Sequence, residues 1–139
     1  MMSHWLFSAA RVILLMTTVA LPTVSSGHGD VQPQPVDTTG LEPLGEEWRE
    51  TNPYSGKALA IEIGESAYTQ NCARCHGLAG VSGGMSPDLR YLPPGPEGDE
   101  YYLPPTRAGV IYMPAFERIL SQEAMWAIRS WLETVHVEE

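Results

Sequence analysis

Apolar residues recur at helical spacing in the middle of the 139-residue chain. In the stretch KALAIEIGESAYTQNCARC, apolar or small residues stand at Ile61, Gly64, Tyr68 and Cys72, three or four positions apart, and therefore share one face of a helix. Glycine inside a helix costs about 1 kcal/mol relative to alanine, so Gly64 indicates that another helix crosses closely at that point. The pattern predicts a first helix that leads into the two cysteines of the chain.

The same spacing returns near the C-terminus. Four apolar residues follow one another at intervals of three and four: Met125, Ile128, Leu132 and Val135. Ser121 precedes them and is suited to cap the start of a helix. The pattern predicts an amphipathic helix of about 15 residues. We expect its Ile128 and Trp131 to pack against Gly64 and Tyr68 of the first helix.

A long connection rich in glycine and proline separates the two helical stretches, from GLAGVSGG to VIYMPAF. A connection of this length without regular structure is unusual in a compact domain, unless it wraps around a cofactor that supplies an apolar surface. The adjacent Pro104 and Pro105 are expected to prevent a helix in their part of the connection. We therefore predict an all-α domain over residues 58–139, with crossing terminal helices and loops that surround a cofactor.

Residues 1–27 are typical of a secretory signal. Arg11 precedes the apolar run VILLMTTVAL, and small residues then lead to Gly27, near which we expect cleavage. The alternative is an uncleaved N-terminal membrane anchor, although Arg11 and Pro22 leave no unbroken apolar stretch of about 20 residues. Both interpretations predict that the remainder of the chain is exported.

Residues 28–57 form an extension rich in proline, glycine and acidic residues. Four of its side chains are nevertheless too apolar for a pure linker: Leu41, Leu44, Trp48 and Tyr54. They predict that the extension packs across the domain. It could equally shape a docking surface there.

The exported part of the chain is strongly acidic. Removing residues 1–27 takes away one basic residue, Arg11, and leaves seven basic and 17 acidic residues, for a formal net charge of −10. Nucleic acid and anionic membrane surfaces are poor partners for such a chain. The charge is equally suited to keeping the protein soluble and to steering it towards a partner with a basic patch.

The two cysteines stand in C-A-R-C-H, where Cys72 and Cys75 are one helical turn apart and His76 follows directly. At this spacing both thiols can bond to the vinyl groups of one haem while the histidine ring approaches the iron. Thiol–disulfide exchange is a weaker interpretation, because the sequence shows no βαβ pattern around the motif. A structural zinc site would need four ligands, and no second cluster of cysteine or histidine is present. We therefore predict covalent attachment of a haem.

The iron of a haem electron carrier needs a second axial ligand. The candidates are three methionines and two histidines: Met85, Met113, Met125, His28 and His136. Met113 is favoured because Pro114 follows it and supports an extended turn from which the thioether can reach the iron. Met125 instead falls on an apolar helix face, and His136 lies near a terminus that is expected to fray. Met85 is the alternative to Met113.

Four further residues are candidates for holding the haem. Pro87 and Leu89 are expected to lie against it, with the Pro87 carbonyl accepting a hydrogen bond from the ring nitrogen of His76 that faces away from the iron. Arg90 and Arg107 are candidate partners of the haem propionates, because arginine can hold a carboxylate through two hydrogen bonds. A solvated side chain is the alternative for each arginine.

Taken together, these residues resemble a class I cytochrome c. The matching segments occur in the family's order: Gly64 and Tyr68 before the first cysteine, CARCH at 72–76, SPDL at 86–89, YMP at 112–114 and AIRSWL at 127–132. The segment HGDVQPQPVDTTGLEPLGEEWRETNPY, together with QNCARCHG and LSQEAMWAIRSWLETVH, further resembles the small periplasmic cytochromes that accept electrons from PQQ-dependent quinoprotein alcohol dehydrogenases.

The resemblance implies a class I cytochrome c fold around one covalent haem c, with Cys72 and Cys75 as attachment points and His76 and Met113 as axial ligands. It implies a periplasmic, monomeric one-electron carrier without enzymatic activity, which takes electrons from a quinoprotein alcohol dehydrogenase. A terminal oxidase or another cytochrome is the expected acceptor. Two alternatives stay open: a haem subunit fixed in a dehydrogenase or oxidase complex, and a peroxidatic or gas-binding haem protein.

Overall fold

The computed structural model describes residues 32–138. Its α-helices in this range are α1 (Ala58–Asn71), α2 (Ala73–His76), α3 (Pro96–Ala108) and α4 (Gln122–Thr134), and its short 3-10 segments are Leu78–Gly80, Leu89–Tyr91 and Phe116–Arg118. Extended pairing within residues 32–138 is limited to one isolated bridge, between Val110 and Met113. The predicted all-α fold is confirmed. The predicted signal segment, residues 1–27, lies outside the described residues.

Helices α1 and α4 cross at Gly64, which has no side chain to keep them apart. A Cβ atom built on Gly64 would lie 1.9 Å from the carbonyl oxygen of Ala127. One turn further along α1, the rings of Tyr68 and Trp131 pack with centroids 4.5 Å apart. The close crossing expected from the sequence is therefore present, and it brings the two ends of the domain together.

We expect Gly64→Ala to lower the free energy of unfolding by about 2 kcal/mol or more, because the added methyl group meets backbone and forces the helices apart. Chemical denaturation followed by circular dichroism measures this loss. Gly83→Ala is the matched control, since nothing lies within 4 Å of a Cβ at Gly83. Equal stability of the two variants would contradict the close crossing.

The part of the extension that the structure describes lies across the start of α4 and is hydrogen-bonded to it. The Leu44 backbone N–H donates to Oε1 of Glu123 at 2.8 Å. The Gln122 side-chain amide donates to the carbonyls of Gly45 and Glu47 at 2.7 and 3.0 Å. These bonds join residues more than 70 positions apart in the sequence. Residues at the very start of α4 thus have two functions: they begin the helix and they hold the extension.

The apolar side chains of the extension contribute to the same core. Leu44 and Tyr54 are buried, and Leu41 and Trp48 are partly buried against the core. The described part of the extension, residues 32–57, is therefore packed on the helices.

Helix α3 runs through Pro104 and Pro105, so the prediction that these prolines prevent a helix was wrong. Neither proline can donate a backbone hydrogen bond, which weakens the middle of the helix. Tertiary packing compensates: Tyr102 and Leu103 are buried on the same helix. The Tyr102 hydroxyl also donates to the carbonyl of Met125 at 2.8 Å and ties α3 to α4.

A buried ion pair joins α3, α4 and the extension. Nε of Arg129 lies 2.7 Å from Oδ1 of Asp99, and the two side chains are 0% and 2% exposed. Nη2 of Arg129 donates to the carbonyls of Pro93 and Gly95, at 2.6 and 3.3 Å. The second carboxylate oxygen of Asp99 accepts from the Asn52 backbone N–H at 2.8 Å. Three distant segments of the chain therefore share one charged network.

No helix between residues 32 and 138 has the length and hydrophobicity that crossing a membrane requires.

Candidate functional site

The cysteine motif sits on a single tight turn at the end of α1. The backbone N–H groups of Cys75 and His76 both donate to the Cys72 carbonyl, at 3.1 and 2.9 Å. The two thiols are not joined in a disulfide. Burial, with a smaller contribution from Cys75, raises the pKa of the Cys72 thiol to about 12. This is opposite to the lowered pKa that favours thiol–disulfide exchange.

The ring of His76 is buried and its orientation is set by a backbone acceptor. Nδ1 lies 2.9 Å from the Pro87 carbonyl oxygen, the contact expected from the sequence. When Nδ1 donates its proton to this carbonyl, Nε2 is left with a lone pair that can bind a metal. Leu89, two residues further on, is partly buried against the core.

Met113 lies on a tight turn between α3 and the 3-10 segment that follows. Val110 and Met113 exchange two backbone hydrogen bonds of 3.1 and 2.6 Å, which leaves Ile111 and Tyr112 at the tip with 94% and 96% exposure. Gly109 begins the turn with φ +74°, and a Cβ there would lie 2.6 Å from the Met113 carbonyl oxygen. The backbone thus holds Met113 in a partly buried position against the core.

Sequence comparisons decide the family of this chain. A family model described as "Cytochrome C oxidase, cbb3-type, subunit III" matches residues 59–132, from α1 to α4. Cytochrome c550 from Pseudomonas aeruginosa (strain PAO1) is 54% identical over 138 residues, covering 93% of this chain and 95% of that protein. The chain belongs to the cytochrome c family. Haem c is therefore its cofactor, and electron transfer is its class of function.

This cytochrome is also similar to a small part of a larger enzyme. Quinohemoprotein alcohol dehydrogenase ADH-IIG from Pseudomonas putida is 35% identical over 85 residues, covering 56% of this chain and 11% of that enzyme. The solved structure of quinohemoprotein alcohol dehydrogenase ADHIIG from Pseudomonas putida HK5 matches 58% of this chain and 12% of that chain. The TM-score of this match is 0.52, at 34% identity.

The donor groups of the cytochrome fit haem c. Cys72 and Cys75 offer two unbridged thiols one helical turn apart, which suits bonds to two vinyl groups. His76 offers an imidazole whose second nitrogen is already engaged by a backbone carbonyl. Met113 offers a thioether on a loop with defined backbone geometry.

The other candidates for the second axial ligand lie in less suitable places. Met125 is fully buried inside the α4 core, whereas Met85 is 79% exposed. Nδ1 of His136 lies 2.8 Å from the Arg90 carbonyl oxygen, so the C-terminal segment is folded back and the expectation that it frays was wrong. His28 lies outside the described residues. Among the three candidate methionines, Met113 alone combines partial burial with a loop position.

Both arginines that were expected to hold propionates have carboxylate partners within the protein. Arg90 donates from Nε and Nη2 to Asp88, at 3.0 and 2.8 Å. The hydrogen bonds from Arg90 hold the pKa of Asp88 well below its usual range. Arg107 forms an ion pair with Glu117 at 3.2 Å. In the structure both guanidinium groups therefore fix loops of the cytochrome.

Three residues that support the His76 turn were not predicted as part of the site. The Tyr68 hydroxyl donates to the Gly77 carbonyl at 2.7 Å. Gly77 has φ +80°, and a Cβ there would lie 1.8 Å from the Val81 carbonyl oxygen. Asp88 accepts from the Ser82 backbone N–H at 3.1 Å and so closes the loop that carries Pro87. A glycine directly after His76 is the one local signal that could have indicated such a turn.

Proposed function

We propose that this cytochrome is a one-electron carrier with a single haem c, attached covalently by Cys72 and Cys75 and ligated axially by His76 and Met113. The observation that carries the proposal is the buried His76 ring, because a proton donated from Nδ1 to the Pro87 carbonyl would leave Nε2 with a lone pair for the iron. Leu89 is proposed to add an apolar contact to the haem. Bound haem supplies the reversible one-electron chemistry of iron.

The protein's own residues determine how that chemistry is used. The thioether of Met113 favours the reduced state and raises the potential, while the Pro87 carbonyl makes His76 a stronger donor. If His76 and Met113 both held the iron, no coordination position would stay open for a substrate. We therefore propose a carrier without enzymatic activity of its own.

Electrons are proposed to pass where the segments around the two axial ligands reach the surface. Residues 77–87 and 109–116 contain no aspartate, glutamate, lysine, arginine or histidine. They expose apolar groups instead, with Leu78 75%, Met85 79% and Tyr112 96% exposed. Close contact with a partner is thus apolar and short in range, whereas the net charge of the exported chain acts at longer distance.

As electron donor we propose a quinoprotein alcohol dehydrogenase, and as acceptor a terminal oxidase or another cytochrome. Support comes from the similarity to part of quinohemoprotein alcohol dehydrogenase ADH-IIG, an enzyme whose name combines a quinone and a haem. A separate cytochrome similar to part of such an enzyme is suited to receive electrons from a dehydrogenase.

The proposal includes the location and the form of the protein. Residues 1–27 have the composition of a secretory signal, so we place the cytochrome in the periplasm after cleavage near Gly27. We propose that it diffuses as a monomer. A single monomeric peak in gel filtration is the expected result, whereas an oligomer would favour a subunit fixed in a complex.

Stopped-flow reduction by a quinoprotein alcohol dehydrogenase supplied with ethanol tests the donor. We expect rapid reduction of the ferric cytochrome, with a rate that falls as salt screens the net charge. Tyr112→Ser is expected to slow reduction at every ionic strength, because it removes an apolar contact at the proposed docking face. Tyr101→Ser, an exposed tyrosine on α3, is the matched control and should leave the rate unchanged.

Slow reduction of the wild-type protein at every salt concentration would remove the dehydrogenase as donor. It would leave the assignment as an electron carrier intact. Equal rates of reduction in the two tyrosine variants would instead indicate that the docking face does not include the Met113 turn.

A further inference from the structure

The loop that carries Met113 is closed at its base by three side chains outside the proposed ligand set. Arg107 lies in the last turn of α3 and Glu117 in the 3-10 segment Phe116–Arg118, on either side of this loop, residues 109–115. Nε and Nη2 of Arg107 each lie 3.2 Å from Oε2 of Glu117, so the pair bridges the two ends of the loop. The ring of Trp48 lies against the same guanidinium, and the distance from Cζ of Arg107 to the centroid of the ring is 4.0 Å.

The position of Trp48 connects the N-terminal extension with the Met113 loop. Trp48 is partly buried against the core, and the residues before it are hydrogen-bonded to the start of α4. An aromatic face next to a guanidinium attracts the cation and shields one side of it from water, which strengthens the adjacent ion pair. The ion pair itself is about one-third exposed, so this shielding matters for its strength.

The remaining hydrogen bonds of the loop act within shorter segments. The paired hydrogen bonds of Val110 and Met113 shape the turn itself. The Gly109 N–H donates to the Pro105 carbonyl at 2.9 Å and fastens the start of the loop to α3. The contact between Arg107 and Glu117 differs from these because it joins the element before the loop to the element after it.

We propose that Trp48, Arg107 and Glu117 form a clasp that keeps the Met113 loop closed, so that the N-terminal extension controls how often Met113 leaves the iron. The inference rests on the proposed function, in which Met113 is an axial ligand. The three side chains are positioning residues: Arg107 and Glu117 hold the ends of the loop, and Trp48 acts through Arg107.

Imidazole binding to the ferric haem-loaded protein tests the clasp, since imidazole can bind the iron only while Met113 is displaced. At subsaturating imidazole, Arg107→Gln is expected to bind about fivefold faster than wild type, the effect of losing a partly exposed ion pair together with a cation–π contact. Trp48→Leu should give a smaller increase. Trp48→Leu should not increase the rate of imidazole binding further when Arg107 is already replaced, because Trp48 acts through Arg107.

Two control variants separate the clasp from simpler causes. Arg118→Gln removes the same charge one position beyond Glu117, and Ser121→Ala removes the N-cap of α4 and lowers stability without touching the loop. Both should bind imidazole at the wild-type rate. Equal rates in Arg107→Gln and Arg118→Gln, or an equal increase in Ser121→Ala, would overturn the clasp.

The ferric spectrum distinguishes a failed clasp from a failed proposed function. Thioether ligation of ferric haem gives a weak absorption band at the red edge of the visible spectrum. If the wild-type protein lacks this band, Met113 is not the ligand and the clasp loses its role with it. If the band is present and Arg107→Gln resists imidazole as well as wild type does, the clasp alone is wrong.

Discussion

Met113→Ala is expected to make the reduced protein bind carbon monoxide rapidly and to lower the reduction potential. Alanine removes the thioether that we propose as sixth ligand, so a coordination position opens and the soft ligand that favours ferrous iron is lost. The turn itself should persist, because the hydrogen bonds between Val110 and Met113 are made by backbone atoms. Carbon monoxide difference spectra and a potentiometric titration measure the two effects.

Met85→Ala is the control for this experiment. Met85 is 79% exposed, so its loss should change neither carbon monoxide binding nor the potential. If Met85→Ala allows carbon monoxide to bind and Met113→Ala does not, then Met85 and not Met113 is the ligand of the iron. Rapid carbon monoxide binding by the wild-type protein would contradict both assignments and favour a gas-binding or peroxidatic protein.

Asp99→Asn is expected to lower the free energy of unfolding by about 3–5 kcal/mol, the usual effect of removing one partner from a buried ion pair. Arg129 is 0% exposed, so its charge cannot turn to water when Asp99 is lost. Domains are typically stable by only about 5–15 kcal/mol, so this loss is a large share of the total. Urea denaturation of the haem-loaded protein, followed by circular dichroism, measures it.

Two further variants show whether the buried charge is the cause. Asp37→Asn makes the same change at an exposed position of the extension and should alter stability by less than about 0.5 kcal/mol. Replacing both partners, as Asp99→Leu with Arg129→Met, should recover part of the loss because the unpaired charge of Arg129 is removed, while Glu133, 3.8 Å from Arg129, loses its partner. If the double variant is no more stable than Asp99→Asn, packing of these side chains outweighs their charge.

Local patterns account for what could be predicted about the fold. The spacing of apolar residues predicted α1 and α4, and Gly64 predicted their close crossing, because helix faces and a missing side chain are visible in a single segment. Pro104 and Pro105 misled the prediction for α3. A proline in the sequence indicates only that one backbone hydrogen bond is missing. The burial of Tyr102 and Leu103, which outweighs this loss, depends on residues that are distant in the sequence.

The candidate site likewise contains residues that could be predicted from the sequence and contacts that could not. Cys72, Cys75 and His76 could be predicted together because their chemistry requires neighbours in sequence, and Met113 could be predicted from the proline that follows it. The ligand assignments themselves stay predictions until the iron is probed. The partners of Arg90 and Arg107 were missed, since an arginine pairs with whichever carboxylate the fold brings within reach.

The two main helices, the all-α class and the haem c cofactor could be predicted from the sequence, because the patterns that indicate them lie within a few turns of continuous chain. The contacts between distant residues became visible only in the tertiary structure: the hydrogen bonds from the extension to Gln122 and Glu123, the burial of Arg129 against Asp99, and the contact of Trp48 with Arg107. These contacts join residues 30 to 79 positions apart. Such pairings follow from how the helices and loops meet, and the order of the residues alone does not encode them.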